Sequence, residues 1–171
     1  DSSWRCASLS LKWACNKGSS YLHMGKSVLS TLRECIKKRM QQQVVVPCRP
    51  YKDQFLSPFF HVQKPNGSYR FILNLKHLNK KIYTLPPFKM ETIRSVMRLM
   101  FKNCYMASID LKDAYFLLPV RQKCRILLRF HFENNYFEFT CMPFGLSIAP
   151  FTFIKLTKPV LAFLGKEAYF V

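Results

Sequence analysis

The sequence predicts an α+β fold in which helices pack on one face of a mainly antiparallel sheet. Two pairs of β-rich segments each surround a short turn that contains Asn, and segments with apolar residues at helical spacing lie before, between and after them. The predicted order is helix, hairpin, helix, strand, hairpin, helix, strand. Such an order favours an antiparallel sheet covered by helices over a parallel, doubly wound one.

Three helices are predicted. In the first, over residues 27–43, Val28, Leu32 and Ile36 recur at helical spacing, and basic residues come late, where the helix dipole favours them. A short strand, "VVVP", follows and ends at Pro47, before a loop over residues 48–58. A second, amphipathic helix is predicted over residues 90–101. The third, over residues 146–165, ends at a glycine.

The strands are predicted from composition and turn chemistry. Segments 59–63 and 69–75 surround "KPNGS", and Asn66-Gly67 is a strong hairpin signal because both residues tolerate positive φ. A second hairpin, within residues 124–144, is predicted to turn at Asn134–Asn135. Two further strands are expected, at residues 104–110 and 167–171.

Length and composition indicate a folded basic domain. A chain of 171 residues with 49% hydrophobic and 15% aromatic residues can bury a sizeable core. The formal net charge is +18, with 9 basic residues in each of the ranges 1–50, 51–100 and 101–171. Charge spread in this way suits a broad phosphate-facing surface. The alternative is a basic protein that its lysines keep soluble.

The seven cysteines predict the compartment. Their number is odd, and they show neither a C-x-x-C pair nor a paired His spacing, which argues against a zinc site and a disulfide framework. A reducing, intracellular location in cytoplasm or nucleus, without secretion, is therefore expected. No apolar run reaches the ~18 residues of a membrane span, so no membrane partner is expected.

The segment "ASIDLKDAYFLLPV" carries Asp110 and Asp113, two of the four aspartates in the chain. A carboxylate at the end of a buried strand lies at the rim of a sheet, where a hard cation can be bound. Two-metal phosphoryl transfer requires carboxylates that hold ions about 3.5–4 Å apart. The i, i+3 spacing allows both to be equal ligands only if the backbone turns between them. The alternative is that one of them caps the turn "LKDA".

Nearby residues favour the phosphate chemistry. Lys64 and Arg70 lie on opposite arms of the first hairpin. The compact charge of the lysine and the bidentate guanidinium of the arginine suit a polyphosphate. Tyr115 follows the aspartates and can stand against a sugar. Gly145, in "MPFGLSIAP", precedes a helix at a point where the backbone is expected to pass close to a neighbouring group. Each feature alone has an ordinary explanation as surface, core or turn.

Together and in order, these segments resemble the fingers and palm of a retroelement reverse transcriptase. The similar motifs are "SPFFHVQKPNGSYRFILNLKHLN", "ASIDLKDAYFLLPV", "RFHFENNYFEFTCMPFGLSIAPFTF" and the final "YFV". The phrases "FKMETIRSVMRLM" and "SIDLKDAYF" are most similar to DIRS-type retrotransposons, with gypsy-type elements next. The resemblance covers residues 27–171, a right-hand polymerase fingers and partial palm. Residues 1–26 are expected to be a poorly ordered flanking segment.

The resemblance implies an RNA-directed DNA polymerase domain that uses two Mg²⁺ ions, a primed RNA or DNA template and deoxynucleoside triphosphates. Asp110 would be a catalytic carboxylate and a ligand of both ions, and the carbonyl of Leu111 would contribute to one of them. The primer 3′-hydroxyl would attack the α-phosphate, so the protein would supply positioning and charge.

The resemblance also assigns the nucleotide pocket. The triphosphate would be held by Lys64, Arg70 and the backbone amides of Asp113 and Ala114. Tyr115 would pack beneath the sugar and exclude a 2′-hydroxyl. Phe144 and Gly145 would line the pocket for nucleotide and template.

The sequence departs from the family pattern in two places. Asn74 stands where the family usually has an aspartate. In the family, a strand like "EAYFV" continues into Tyr-x-Asp-Asp, which supplies two further metal-binding aspartates, whereas this sequence reaches Val171. Because loss of transition-state charge stabilisation costs about 10² to 10³ in rate, the 171-residue polypeptide alone is expected not to polymerise.

Two other functions compete with this interpretation. One is a non-catalytic, basic nucleic-acid-binding module derived from a reverse transcriptase. The other is the product of a decayed element, without a selected function. The first predicts binding that weakens with salt, by a log–log slope of about 0.9 per duplex phosphate contacted.

Overall fold

A computed structural model describes residues 25–52, 54–63, 69–81, 100–105 and 110–164, together with a few isolated positions between them. Several predicted features lie outside the described residues. They are Lys64, the Asn66-Gly67 turn, most of the helix over 90–101, part of the strand at 104–110, the strand at 167–171 and residues 1–24.

Helix α1 spans Lys26–Gln41 and confirms the first predicted helix. Leu32 and Ile36, four positions apart, are its buried residues, so one stripe of the helix faces the core. Lys38 and Arg39 lie in the last turn, where cations interact favourably with the helix dipole. The chain then passes through Gln43, whose φ is 56°, and enters strand β1, Val45–Pro47.

A three-stranded antiparallel sheet has the order β1-β5-β4, with β4 at Arg129–Phe132 and β5 at Asn135–Phe139. The β4-β5 hairpin turns at Glu133 and Asn134, whose φ values are 47° and 62°. The prediction of a turn at Asn134–Asn135 is therefore wrong by one residue. Asn135 instead pairs with Phe132 as the first residue of β5. Positive φ at both central residues is the geometry that matches the twist of the flanking strands.

The first predicted hairpin forms a separate two-stranded sheet in which β2, Phe59–Gln63, pairs with β3, Tyr69–Leu73. Strand β3 ends two residues before the predicted limit. There Asn74 Oδ1 accepts a 3.2 Å hydrogen bond from the backbone N–H of Lys76, at the start of the short helix α2, Lys76–Asn79. The described strands therefore form two antiparallel sheets, where one sheet was predicted.

Aromatic side chains join the two sheets. Phe130 is completely buried, and its ring centroid lies 5.6 Å from that of Phe59 and 5.1 Å from that of Phe71. Leu32 of α1 and Phe139 of β5 belong to the same buried cluster. This shared core holds the β2-β3 hairpin and the three-stranded sheet in contact.

The remaining elements lie on the C-terminal side. A 3-10 helix at Ala114–Leu117 precedes helix α3 at Gln122–Arg125 and a second 3-10 helix at Ile126–Leu128. Helix α4 spans Ala149–Leu164, with Pro150 in its first turn and Pro159 in its interior. Within the described residues, no helix combines the length and the apolar character that crossing a bilayer requires.

Candidate functional site

Residues 110–113 form a loop that carries Asp110 and Asp113, called here the aspartate-bearing loop. Asp110, its first residue, is exposed to solvent, as is Leu111. No three His, Cys, Asp or Glu side chains converge on one point within the part of the chain that the structure describes. Magnesium, however, is commonly bound by one or two carboxylates together with substrate phosphates and water. The carboxylate of Asp110 and the carbonyl of Leu111 are oxygen donors that fit a hard cation shared with a substrate.

The surroundings of Asp113 differ from those of Asp110. Its backbone is left-handed, with φ 54° and ψ 37°, and its carboxylate makes no capping hydrogen bond to the 3-10 helix that follows. Instead, Oδ2 accepts a 3.0 Å hydrogen bond from Nη1 of Arg39 on helix α1. The turn-capping alternative is therefore wrong for this side chain.

The chain after Asp113 is held at both ends. The backbone N–H of Phe116 donates a 2.8 Å hydrogen bond to the carbonyl of Asp113, which starts the 3-10 helix that also contains Ala114. Further on, Pro119 forms an isolated antiparallel bridge with Cys141, just beyond β5. The segment that follows Asp110 is thus attached beyond the end of β5, the central strand of the three-stranded sheet.

Tyr115 is half-buried between two phenylalanines. Its ring centroid lies 5.4 Å from that of Phe144 and 5.9 Å from that of Phe153 on helix α4. Tilted and edge-to-face pairs at these distances are favourable aromatic contacts. The structure therefore brings two predicted site residues, Tyr115 and Phe144, together, and it fixes the plane of the tyrosine ring.

Gly145 follows Phe144 in a tight turn with φ 91°, a conformation that L side chains rarely adopt. Its Cα faces the end of β3, where a Cβ would lie 3.7 Å from the carbonyl oxygen of Leu73. The amide nitrogen of Asn79 donates a 2.8 Å hydrogen bond to the carbonyl of Gly145, and Oδ1 of Asn79 accepts one of 3.0 Å from the N–H of Ser147. The turn is thereby tied to helix α2.

An open groove of about 520 Å³ lies between this turn, β3 and α2. Its walls combine apolar, amide and cationic side chains from Phe60, Ile72, Leu73, Asn74, Leu75, Lys76, Asn79, Lys80 and Gly145. Apart from Gly145, these residues were not predicted as site residues. The signal that could have found them is the polar spacing in "NLKHLN", directly after a strand. A groove with apolar and cationic side chains can bind an extended anionic polymer whose repeating units have an apolar face.

The two predicted fingers cations are less well defined. Arg70 belongs to β3 and pairs with Val62 of β2, but its side chain lies outside the described part of the chain, as does Lys64. Their proposed contact with a triphosphate stays a prediction.

Two of the described cysteines, Cys141 and Cys48, are poor candidates for a nucleophile. Burial raises the pKa of the Cys141 thiol, and it also raises the pKa of Cys48. A thiol with a raised pKa stays protonated near neutral pH and is a poor nucleophile. The oxygen ligands and cations near this loop are suited to binding and charge neutralisation.

Comparisons with known proteins identify the family and the fold. A family model described as "Reverse transcriptase (RNA-dependent DNA polymerase)" matches residues 62–170. The Transposon Tf2-7 and Tf2-3 polyproteins of Schizosaccharomyces pombe are 32% and 31% identical to this chain over 118 residues. That alignment covers 67% of this chain and 8% of each polyprotein.

Solved structures show the same fold. Native prototype foamy virus protease-reverse transcriptase matches with a TM-score of 0.67 at 20% identity, over 84% of this chain and 18% of the viral one. A foamy viral protease-reverse transcriptase solved in complex with dsDNA matches with a TM-score of 0.63 at 21% identity, over 82% and 29% of the two chains. These matches confirm the predicted polymerase fold and the resemblance to retroelements. The chain belongs to the reverse transcriptase family.

Proposed function

We propose that this chain forms the fingers and the first part of the palm of a retroelement reverse transcriptase, where it binds a primed template and an incoming deoxynucleoside triphosphate. One observation carries the proposal most directly. The loop that starts with exposed Asp110 is joined to the turn at Gly145 through the contact of Tyr115 with Phe144. This contact links the segment that carries the Asp110 carboxylate to the turn that lines the groove.

Asp110, with the carbonyl of Leu111, would hold Mg²⁺, which when bound neutralises phosphate charge and activates an oxygen nucleophile. The left-handed backbone at Asp113 would present its own N–H and that of Ala114 to the triphosphate, as successive amides do in anion-binding turns. Tyr115, held between Phe144 and Phe153, would set the position of the sugar. The protein would thus supply orientation and charge, the main contributions to phosphoryl transfer.

The groove beside Gly145 would take the template strand. Lys76 and Lys80 line it and are exposed, and phosphate contacts of this kind provide most of the affinity for nucleic acid. The dsDNA complex of the foamy viral relative supports a duplex as the partner. Asn74 in the same wall removes the negative charge that the family pattern usually has there, so repulsion of phosphate is reduced.

The test measures binding of two ligands by the purified 171-residue chain. Fluorescence anisotropy with a primed RNA or DNA template gives the affinity and its salt slope, and Mg²⁺-dependent photocrosslinking of a deoxynucleoside triphosphate gives nucleotide binding. The proposal expects both, with crosslinking lost in Asp110→Asn and template affinity lowered in Lys76→Glu/Lys80→Glu.

Other outcomes of the same test identify the competing functions. Salt-dependent template binding without any nucleotide crosslinking would point to a non-catalytic binding module. A flat salt response and no crosslinking would overturn the proposal and leave a decayed product. That the isolated chain does not extend a primer stays a prediction, and extension by it in the presence of Mg²⁺ would contradict it.

A further inference from the structure

Four side chains from two distant parts of the chain meet beside the aspartate-bearing loop. Nη1 of Arg39 lies 3.0 Å from Oδ2 of Asp113 and 2.9 Å from Oε1 of Gln42. The guanidinium carbon of Arg39 lies 4.5 Å from the centroid of the Phe116 ring. One side chain of helix α1 thus contacts both the left-handed residue and the 3-10 helix that follows it.

The burial of this pair distinguishes it from an ordinary surface ion pair. The side chains of Arg39 and Asp113 are 19% and 30% exposed. Those of Arg33 and Glu133, another ion pair made by α1, are 58% and 34% exposed. Partial desolvation strengthens the charge interaction, and stacking on Phe116 restricts the guanidinium to one orientation. Lysine cannot reproduce this arrangement because it lacks the planar guanidinium that stacks on Phe116.

The geometry of Asp113 explains why such a contact matters. Aspartate adopts a left-handed backbone more readily than most residues, commonly where its side chain hydrogen-bonds locally, yet the conformation remains less favourable for it than for glycine. The carboxylate makes no bond to the following helix and is bound by Arg39, 74 positions away in the sequence. The orientation of the Asp113 and Ala114 amides therefore depends on a residue of α1.

We propose that Arg39 is a positioning residue for the nucleotide site. It holds Asp113 in the left-handed conformation and so aims the amides of Asp113 and Ala114 at the triphosphate, without touching the nucleotide itself. This inference rests on the proposed function, because it assumes that the triphosphate binds at these amides. It predicts that Arg39 controls nucleotide affinity while template affinity is unchanged.

The test compares Arg39→Met with Arg33→Met, a matched arginine on the same helix that pairs with Glu133 away from the loop. Nucleotide affinity is measured by Mg²⁺-dependent photocrosslinking of a deoxynucleoside triphosphate, template affinity by anisotropy, and folding by circular dichroism, all below the melting temperature of each variant. Arg39→Met is expected to weaken nucleotide binding about tenfold, because it removes the charge-assisted hydrogen bond that orients Asp113. Template affinity is expected to stay within about twofold, and Arg33→Met to leave both ligands unaffected.

A conservative variant and a double variant separate positioning from general folding. Arg39→Lys keeps the charge but not the planar group that stacks on Phe116, and its nucleotide affinity is expected to fall between those of wild type and Arg39→Met. Arg39→Met combined with Asp113→Asn is expected to bind nucleotide no more weakly than Arg39→Met alone, because both changes remove the same contact. Equal nucleotide affinity in Arg39→Met and Arg33→Met would overturn the proposal.

Hydrogen exchange keeps the two proposals distinguishable. If the wild-type chain binds no nucleotide, the proposed function fails, and exchange of the Phe116 amide, which donates to the carbonyl of Asp113, still tests the role of Arg39. Positioning predicts faster exchange of this amide in Arg39→Met than in Arg33→Met, with the protection of β4 and β5 unchanged. Unchanged exchange at Phe116 would overturn the inference on its own.

Discussion

Asn79 and Gly145 lie 66 positions apart in the sequence, and the side-chain amide of Asn79 donates a 2.8 Å hydrogen bond to the carbonyl of Gly145. The same side chain accepts a 3.0 Å hydrogen bond from the N–H of Ser147. One carboxamide thus satisfies a donor and an acceptor of the turn that forms one wall of the groove. The wall and helix α2 are therefore expected to behave as one unit.

Replacing Asn79 by alanine removes both hydrogen bonds and is expected to lower the free energy of unfolding by about 1–2 kcal/mol. Asn79→Asp keeps the acceptor for Ser147 but loses the donor to Gly145, and should lose less. Urea denaturation followed by circular dichroism measures both. His77→Ala, an exposed change on the same short helix, serves as the control. A loss in Asn79→Ala no larger than that of the control would contradict the prediction.

Gly145→Ala is expected to destabilise the chain by about 1–2 kcal/mol, because φ at this position is 91° and a side chain strains the backbone there. Space does not limit the substitution, since the nearest atom to an added Cβ is the Leu73 carbonyl oxygen at 3.7 Å, an ordinary contact. Ser147→Ala, an exposed change in the same turn, is the control. Thermal melting of both variants checks the prediction, and equal melting temperatures would refute it.

The ion pair between Arg129 and Glu138 spans neighbouring strands, and its side chains are only 10% and 13% exposed. Nη1 of Arg129 also donates to Oε1 of Gln54 at 3.1 Å. Arg129→Met leaves a buried carboxylate unpaired and is expected to cost about 3–5 kcal/mol. Arg129→Met combined with Glu138→Leu removes both charges and should recover much of that loss in a urea titration. A double variant less stable than Arg129→Met would contradict this reasoning.

The sequence predicts most of the described elements because their patterns are local. It does not predict the contacts and the groove that form between residues distant in the sequence. Helix α1 and both hairpins follow from apolar spacing and turn chemistry. The role of Asp113 could not be read from its neighbours, because its partner Arg39 belongs to another helix. Likewise, the groove beside Gly145 arises where β3, α2 and the turn meet, and local spacing does not reveal that meeting.

The turn of the second hairpin shows a further limit, and it can be tested. Both Asn134 and Asn135 suit a left-handed turn, yet the turn uses Glu133 and Asn134. Asn134→Gly should therefore be neutral or slightly stabilising, whereas Asn135→Gly places glycine in a strand and should cost about 0.5–1 kcal/mol. Chemical denaturation of the two single variants compares them directly. The reverse order of stability would favour the turn that the sequence predicts.

Glu133 adopts its unusual backbone beside Arg33, which donates hydrogen bonds to both carboxylate oxygens, Nε to each at 2.9 Å. This hydrogen bonding lowers the pKa of Glu133, and the same contact raises the pKa of Arg33. Because the pKa of Glu133 is lower in the folded chain than the value of about 4.3 in the unfolded chain, its carboxylate stabilises the fold at pH above that unfolded value. This stabilisation is lost as the pH falls through the folded pKa. Glu133→Gln should therefore be less stable than wild type at pH about 6–7, and the difference should shrink toward pH about 3.

Urea midpoints measured across that pH range test the sign of this effect, with Glu34→Gln as the control, since Glu34 is an exposed glutamate on α1. Arg33 and Glu133 form their ion pair at the surface, so added salt should also shrink the stability difference between wild type and Glu133→Gln. If the difference stayed constant from neutral to acidic pH, the carboxylate of Glu133 would not be linked to folding. In that case the left-handed backbone at Glu133 would be held by the strand pairing on either side of the turn, and Arg33 would be dispensable for it.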